Sequence, residues 1–503
     1  MNLSDLITKS GEDVSPSSLS KATRKRLKRT LLGAAPAAYV VFRFTHQPLA
    51  LLILPTALIL AYVATPLTLL SKASNRRRRV ETELPFASTL LTVAANHAPP
   101  LTTLRNTLNA PSLKQTSKEY LKIVKHTKLN HLTPAQAANQ LANQHPSQRF
   151  QTFLRTVSAA ERGIGDPYYS LRDHSKAELA NLSHDTELAT ERLGVASSTV
   201  LIAFAVAPLT MLIFASITAQ PLLIYLATFT ALPAAALVNI IIEQAYPATL
   251  QPVSLAPTIK IVASATMLAT LSAFAPLPLY LKVATALLAA TAPLAAYYYS
   301  QSKHHTKLLA TLPQLARDFA EEAKKGAPPT AALTKIAASN KYPKTVLEQI
   351  VSPKKPKPYL AQAYSDMLAE SEKLGADTEQ LESLADTVNT VANTQNSYNS
   401  KASFFRATVY VSAAILAAAA TAVTSTLKTL AQKSAAGFAP TNTLLIHFNP
   451  ALQTSVYTSI VINAYLLGLL AGKAHKGSAL YGLTDALLTT AVALATILLG
   501  RMF

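Results

Sequence analysis

The sequence contains no cysteine, which excludes disulfide bonds, thiolate metal sites and cysteine nucleophiles. A Gly-x-x-x-x-Gly-Lys-Ser/Thr phosphate loop and a His-Glu-x-x-His metal motif are also absent from it. We therefore predict no catalytic, cofactor or metal site and no enzymatic activity. A Ser/His/Asp triad stays open at this point, although no residue nominates one.

Charged residues are scarce, at 14% of the chain, whereas half of its 503 residues are hydrophobic. The mean hydropathy is +0.23, which is high for a soluble domain. The apolar residues gather in blocks long enough to cross a bilayer, for which a helix needs about 20 residues. Thirty prolines against thirteen glycines also fit a polytopic protein, because neighbouring helices satisfy the backbone groups that proline frees. The sequence thus predicts an integral membrane protein.

The excess of positive charge has an ordinary explanation in such a protein. The formal net charge is +20, and the basic runs at 21–29 and 76–79 lie directly beside apolar blocks. Cytoplasmic loops of membrane proteins are rich in Lys and Arg. We therefore expect the lipid bilayer as a partner and no nucleic acid. The polar stretch 1–20, followed by its basic run, does not have the pattern of a signal peptide.

Hydropathy predicts about nine transmembrane helices. They are expected at 31–46, 49–70, 196–218, 221–243, 255–275, 278–298, 404–427, 455–473 and 479–499. The first of them is short and carries Arg43, so a re-entrant or interfacial segment is the alternative there. A linker is expected at 428–454.

The positive-inside rule orients these helices in the cell membrane. It places the N-terminus and both long polar stretches in the cytoplasm and the C-terminus outside. The basic residues on the cytoplasmic side are then those at 21–29, 76–79, 303, 307 and 473–476. Lys428 and Lys433 conflict with this topology.

Both long polar stretches show helical spacing, as in Leu84, Leu90 and Leu91 or Leu308, Leu312 and Leu315. The predicted fold is therefore all-α, a polytopic membrane protein with two repeated cytoplasmic helical-bundle domains. Its expected parts are a basic cytoplasmic tail at 1–30, a transmembrane hairpin at 31–70, a first cytoplasmic domain at 76–194, four transmembrane helices at 195–298, a second cytoplasmic domain at 300–402 and three transmembrane helices at 403–503.

The two polar stretches share two sequence phrases. The first phrase is a Leu-Pro pair, expected to start a helix at the proline, followed by a turn of small residues with two prolines. Its copies are Glu83-Leu84-Pro85-Phe86 with His97-Ala98-Pro99-Pro100, and Thr311-Leu312-Pro313-Gln314 with Gly326-Ala327-Pro328-Pro329. Gly326 suits a left-handed helix end, whereas His97 in the other copy suits it less.

The second phrase is an acidic turn with glycine that precedes a long polar helix and then a membrane block. Its copies are Ala160-Glu161-Arg162-Gly163-Ile164-Gly165-Asp166 and Glu370-Ser371-Glu372-Lys373-Leu374-Gly375-Ala376-Asp377. We call these the first and second acidic-glycine turns.

The order of these phrases resembles the type II secretion system F domain, which occurs in tandem in pilus and secretion platform proteins. The layout of membrane segments looks like the archaeal version used in archaella and adhesive pili. The resemblance implies a non-enzymatic assembly platform in the membrane that couples a cytoplasmic secretion ATPase to the insertion of pilin-like subunits. A homodimer is the expected assembly of such a platform. A secondary transporter and another polytopic membrane scaffold are the alternatives.

The charged residues of the turns and of the helix end near Gly326 are the candidate contacts with the ATPase. They are Glu161, Arg162, Asp166, Glu321, Glu322, Lys324, Lys325, Glu370, Glu372, Lys373 and Asp377. An ordinary solvated helix face is an equal interpretation for any one of them. Four further charges, Glu243, Lys260, Lys282 and Asp485, lie near the ends of membrane blocks. We expect them to reach the lipid headgroups, with a functional role as the alternative.

Overall fold

The computed structural model describes Lys9, Arg24 and residues 53–218, 222–246, 257, 259–326, 329–351, 358–435 and 450–502. All regular structure in these residues is helical, without a strand among them, which confirms the all-α prediction. The predicted transmembrane helix 31–46 lies outside the described residues.

The first half of the described chain contains seven α-helices. They are α1 (Ile53–Ala94), α2 (Pro100–Asn106), α3 (Lys114–Asn130), α4 (Pro134–Gln144), α5 (Gln148–Glu161), α6 (Pro167–Leu201) and α7 (Ala207–Thr218). Short 3-10 helices at Thr107–Asn109 and Pro111–Leu113 connect α2 to α3, and a π-helical turn, Ile202–Val206, joins α6 to α7.

Nine α-helices follow in the second half of the described chain. They are α8 (Leu222–Ala245), α9 (Ile259–Ala273), α10 (Leu279–Lys324), α11 (Pro329–Ala338), α12 (Lys344–Val351), α13 (Tyr359–Leu374), α14 (Thr378–Ala435), α15 (Pro450–Lys476) and α16 (Leu483–Met502).

Five helical stretches are long and apolar enough to cross a membrane. This confirms the prediction that the chain contains membrane-type helices. They are Pro167–Met211, Leu279–Lys324, Thr378–Thr426, Gln453–Lys476 and Leu483–Gly500. The predicted spans at 221–243 and 255–275 contain the shorter apolar helices Pro233–Glu243 and Ile259–Ser272. The predicted span at 49–70 is helical from Ile53 onwards. The count of nine transmembrane helices stays a prediction.

The chain divides into two compact units. Unit 1 contains Met1–Glu178 and Asp366–Leu384, and unit 2 contains Leu179–Ser365 and Ala385–Phe503. Unit 1 packs buried side chains of α1, such as Leu84 and Leu90, in a core that also holds Phe150 and Phe153 of α5. The helical spacing predicted for α1 therefore identifies part of this core correctly.

Unit 2 has a continuous apolar core along its membrane-type helices. Its largest cluster includes Phe204, Tyr280, Phe405, Val461 and Ile497, all of which are buried. The predicted spacing of Leu308, Leu312 and Leu315 also holds, since the side chains of all three are buried.

Two of the predicted helix starts are wrong. Pro85 lies inside α1 and Pro313 lies inside α10, so neither proline begins a helix. An interior proline removes one backbone hydrogen bond and costs about 3 kcal/mol in an isolated helix. Here the arginines and other helix-favouring residues before Pro85 and the apolar span before Pro313 keep the helix continuous through the proline.

The predicted linker at 428–454 is also partly wrong, because α14 continues to Ala435. Residues 428–435 contain Lys, Thr, Leu, Ala, Gln and Ser and neither Gly nor Pro, so nothing in this stretch ends the helix. Residues 436–449 lie outside the described part of the chain.

Helices α15 and α16 pack through glycines. A methyl group on Gly468 would overlap the backbone of Ala486, and one on Gly472 would overlap the Cα of Gly482. Gly468 and Gly472 are four residues apart, a spacing of small residues that lets membrane helices approach closely. Our predictions from the sequence did not include the α15–α16 contact, although the spacing of these two glycines is the signal for it.

Candidate functional site

The two acidic-glycine turns have the same backbone geometry. In the first turn Gly163 has a φ of 71° and the Ile164 N–H donates to the carbonyl of Ala159 at 3.0 Å. In the second turn Gly375 has a φ of 67° and the Ala376 N–H donates to the carbonyl of Ser371, also at 3.0 Å. A left-handed residue followed by this six-to-one bond is the Schellman ending of a helix. The shared sequence phrase thus corresponds to a shared local structure.

Each turn also ends on an aspartate placed just before the next helix. Asp166 Oδ1 accepts the Tyr168 N–H at 2.8 Å, where Pro167 begins α6. Asp377 precedes α14, and its N–H donates to Gln380 Oε1 at 2.9 Å. These bonds satisfy backbone groups that a helix start would otherwise leave without a partner.

Side chains beside the two turns meet within unit 1. The Tyr168 hydroxyl donates to Glu379 Oε1 at 3.1 Å, and Arg172 Nη1 lies 3.4 Å from the same oxygen. The starts of α6 and α14 therefore lie side by side. Elsewhere in unit 1, the N–H and the hydroxyl of Ser112, between α2 and α3, both donate to Asp366 Oδ2 of α13, at 2.9 and 2.6 Å.

Unit 1 contains seven of the predicted ATPase contacts, and some of them have structural partners. Glu161 Oε2 accepts the N–H of Leu101 in the first turn of α2 at 3.1 Å. Glu370 is only 5% exposed and pairs with Lys373 Nζ at 2.6 Å. Arg162 and Glu372 are exposed. A solvent-facing contact surface thus rests on the exposed members rather than on Glu161 or Glu370.

The exposed part of this set also includes Asp166, Lys373 and Asp377. The first and last of these precede α6 and α14 in equivalent positions. The five exposed residues present charge of both signs around the two turns, and we call them the turn surface: Arg162, Asp166, Glu372, Lys373 and Asp377.

The other four predicted contacts lie at the end of α10 in unit 2. Glu322 pairs with Lys325 and lies 3.7 Å from Lys335 Nζ of α11. Glu321 and Lys324 are exposed. These four residues form a second group of mixed charge, at a helix end that does not belong to the turn surface.

Gly326 follows this helix end with a φ of 82°, which confirms the predicted left-handed conformation. The corresponding residue of the first copy, His97, does not have a positive φ. Its N–H and that of Ala98 both donate to the Ala94 carbonyl at 2.9 Å, so this copy turns without a left-handed residue. A side chain with a Cβ disfavours the left-handed region, which explains the difference between the two copies.

Unit 1 also buries two carboxyl groups at the start of α3. Glu83 accepts hydrogen bonds from the backbone N–H groups of Gln115 and Thr116, at 2.9 and 2.7 Å. Burial nevertheless raises the pKa of Glu83 to about 7. Burial acts in the same direction on Glu119, but hydrogen bonds and charge attraction from Arg76, at 2.6 Å, hold the pKa of Glu119 below its usual range.

A buried ionic cluster in unit 2 corrects one prediction. Asp485 is fully buried rather than directed to the headgroups. Its Oδ1 lies 2.7 Å from Arg406 Nη2 and accepts the Tyr410 hydroxyl at 2.5 Å, while Arg406 Nε donates to the Tyr410 oxygen at 2.8 Å. Two donors of α14 hold the Oδ1 atom of this carboxylate inside the bundle, whereas its Oδ2 atom accepts no hydrogen bond from the described residues.

Arg406 is a site residue that the sequence did not predict. It lies near the start of a predicted span, where a basic side chain is expected to face the headgroups. The signal in the sequence that could have indicated this ion pair is an arginine and an aspartate near the ends of two apolar blocks.

The remaining charged residues of the membrane blocks are more accessible. Glu243 is 63% exposed and lies 3.2 Å from Lys473 Nζ, which also donates to Asn239 Oδ1 at 2.7 Å. Lys260 is exposed and Lys282 is half-buried. Contact of these residues with headgroups stays a prediction. The bond between Asn239 and Lys473 joins helices α8 and α15.

Within the described residues, no group of three His, Asp or Glu side chains is arranged to hold a metal ion. Comparison with family models, curated proteins and solved structures found no match to this chain.

Proposed function

We propose that this protein is the membrane platform of a type IV-like filament or secretion machine. A cytoplasmic secretion ATPase would contact the turn surface and the helix end of α10, and the platform would pass its motion to pilin-like subunits in the bilayer. The observation that carries the proposal is that each acidic-glycine turn leads directly into a continuous helix containing a membrane-type span, Pro167–Met211 or Thr378–Thr426.

Such helices suit mechanical coupling. The 58 residues of α14 extend over roughly 87 Å, at about 1.5 Å per residue. A force applied near Asp377 therefore acts at one end of an unbroken rod whose other part is apolar. Coupling by shifts of rigid helices is a known way to link distant sites.

The path through α6 differs in one respect. The π-helical turn Ile202–Val206 lies in the apolar part, between α6 and α7. Single π turns inside helices often occur at functional positions. We propose that this turn lets α7 change its direction relative to α6, whereas α14 stays rigid.

The transporter alternative has less support. Transporter sites usually lie near the middle of the membrane, where helices are interrupted. Asp485 lies in the first turn of the helix beginning at Leu483, and Arg406 lies near the start of the predicted 404–427 span. The buried ion pair is thus near the ends of these apolar segments, where it connects helices.

Site-specific photo-crosslinking tests the proposal. A photoreactive phenylalanine analogue replaces Glu372 in the full-length protein in its own cells, and the crosslinked partners are identified by mass spectrometry. We expect a secretion-type ATPase at Glu372. The matched control carries the same analogue at Glu191, an exposed residue of α6 outside the turns, and we expect no ATPase there.

Charge reversal gives an independent measurement. The E372K/D377K variant should lose most co-purifying ATPase, because both exposed acids of the second turn change sign. The E187K/E191K variant makes the same change of net charge on exposed positions of α6 and should keep the ATPase. If membranes that hold folded protein yield neither a secretion ATPase nor a pilin-like subunit, the platform proposal fails.

A further inference from the structure

Unit 2 contains an open pocket of about 800 Å³ among α10, α14, α15 and α16. Four basic side chains line it: Lys303, Lys307, Arg406 and Lys476. Its other lining residues are apolar or hydroxyl-bearing, and no carboxylate lines it among the residues the structure describes. A pocket of this size accommodates a ligand of several hundred Å³.

The positive charge of the pocket is only partly balanced by the protein. Arg406 is paired with Asp485, but that carboxylate is fully buried behind it. Lys303 and Lys307 are exposed and make no ion pair within the described part of the chain. They are four residues apart on α10, so their ammonium groups repel each other from the same helix face. An anion bound between them would remove this repulsion.

The pocket lies at a polarity boundary of the helices that form it. On α10 the apolar span precedes Lys303 and the polar part follows it. On α15 the apolar span ends at Lys476, and on α16 it begins at Leu483. Tyr299, which is 57% exposed, is of the residue type enriched where membrane helices reach the headgroups.

The other end of the pocket is apolar. Ala292, Ala296, Leu487 and Leu488 line it, and the side chain of Leu488 is 50% exposed. These residues belong to the apolar segments of α10 and α16. A ligand that fills the pocket therefore needs a negative charge at one end and a hydrocarbon part at the other.

We propose that this pocket binds an anionic membrane lipid, with its phosphate between Lys303, Lys307 and Lys476 and a hydrocarbon chain along Ala292 and Leu488. Basic pockets between membrane helices on the cytoplasmic side have the chemistry that phosphate headgroups require. A free phosphate ion would satisfy the cations but would leave the apolar end of the pocket unused, so the lipid is favoured.

The test uses the full-length protein in phosphatidylcholine nanodiscs with increasing phosphatidylglycerol, and native mass spectrometry counts the lipids retained after release. Wild type should retain phosphatidylglycerol in preference to phosphatidylcholine. The K303Q/K307Q variant should lose roughly tenfold or more of that preference, because two charges near the phosphate are removed. The matched control, K401Q/K428Q, removes two other exposed lysines of α14 and should keep it.

A second variant tests the apolar end without changing any charge. Ala292 is exposed, so A292W fills this end of the pocket from the surface and should reduce lipid retention. If K303Q/K307Q and K401Q/K428Q lost the preference for phosphatidylglycerol equally, general attraction between the lipid and surface lysines would explain the retention, and the proposal would be overturned. It would also be overturned if A292W retained the lipid fully, or if inorganic phosphate displaced the lipid at equal concentration.

Discussion

Arg406 and Asp485, on two different apolar helices, form an ion pair of 2.7 Å whose carboxylate is completely shielded from solvent. The Tyr410 hydroxyl donates to the same carboxylate oxygen, so two side chains of α14 hold one acid of α16. Loss of one partner of such a pair leaves a buried group without compensation.

The first prediction concerns this pair. R406M should lower the free energy of unfolding by about 3 kcal/mol, the low end for buried pairs, because a third of Arg406 is exposed. The double variant R406M/D485N should cost less than the sum of the two single variants. Thermal unfolding of the four proteins in detergent gives the coupling energy, which we expect at about 1–3 kcal/mol.

The control for this double-mutant comparison is an exposed ion pair in the same unit. E243Q removes the carboxylate that pairs with Lys473 but is 63% exposed, so its cost should stay below about 1 kcal/mol. Additive effects of R406M and D485N would contradict a direct interaction between the two side chains.

The second prediction is a pH dependence that comes from Glu83. Its pKa is about 7 in the folded protein, against 4.5 ordinarily. The folded state therefore binds more protons than the unfolded state between these values, and this group lowers the free energy of unfolding as the pH rises through them. The E83Q variant lacks this contribution, which amounts to about 3 kcal/mol at most.

The measurement is the difference in unfolding free energy between wild type and E83Q across this pH range. His145 acts in the opposite direction, because burial lowers its pKa to about 3 and its contribution to stability rises with pH up to about 6.5. That contribution is common to both proteins and cancels in the difference. E119Q is the control: the pKa of Glu119 is lowered, so E119Q should lose stability without changing the slope above pH 4.5.

The sequence predicted those features that depend on local pattern. Helical spacing identified Leu84, Leu312 and Leu315 as core residues, and all three are buried. The glycine at 326 predicted a left-handed helix end, which the structure has. Such features depend on residues that are close neighbours along the chain.

Features that depend on distant contacts were not predicted. The burial of Asp485 depends on Arg406 of another helix, and Glu161 of the first acidic-glycine turn accepts the N–H of Leu101 in α2, which a surface interpretation did not foresee. The prediction that helices start at Pro85 and Pro313 was wrong for a related reason. The helix before each proline is long enough to continue despite one lost hydrogen bond. Local rules cannot weigh such competing interactions.

The third prediction concerns the glycines of the acidic-glycine turns. Gly375 has a φ of 67°, and no atom lies within 4 Å of the position that a methyl group would occupy, so G375A meets backbone strain but no clash. We expect a loss of about 1 kcal/mol, and the same for G163A, whose φ is 71°. Gly194 inside α6 also has open space, but its φ is not in the left-handed region.

The same substitution should therefore have the opposite sign at position 194. G194A should stabilise the protein by about 0.5–1 kcal/mol, because alanine is a better helix former than glycine. Thermal unfolding in detergent compares the three variants. A loss of stability in G194A equal to that in G375A would show that the left-handed backbone is not the cause.

The last prediction concerns the close crossing of α15 and α16. A methyl group on Gly472 would overlap the Cα of Gly482, and backbone atoms cannot move away as a flexible side chain can. G472A should therefore force the two helices apart and cost about 1–3 kcal/mol, whereas G194A adds the same methyl group without a contact. G472A combined with a change at Gly482 cannot restore the fit, because position 482 has no side chain to remove. A wild-type unfolding temperature for G472A would mean that α15 and α16 do not pack through these glycines.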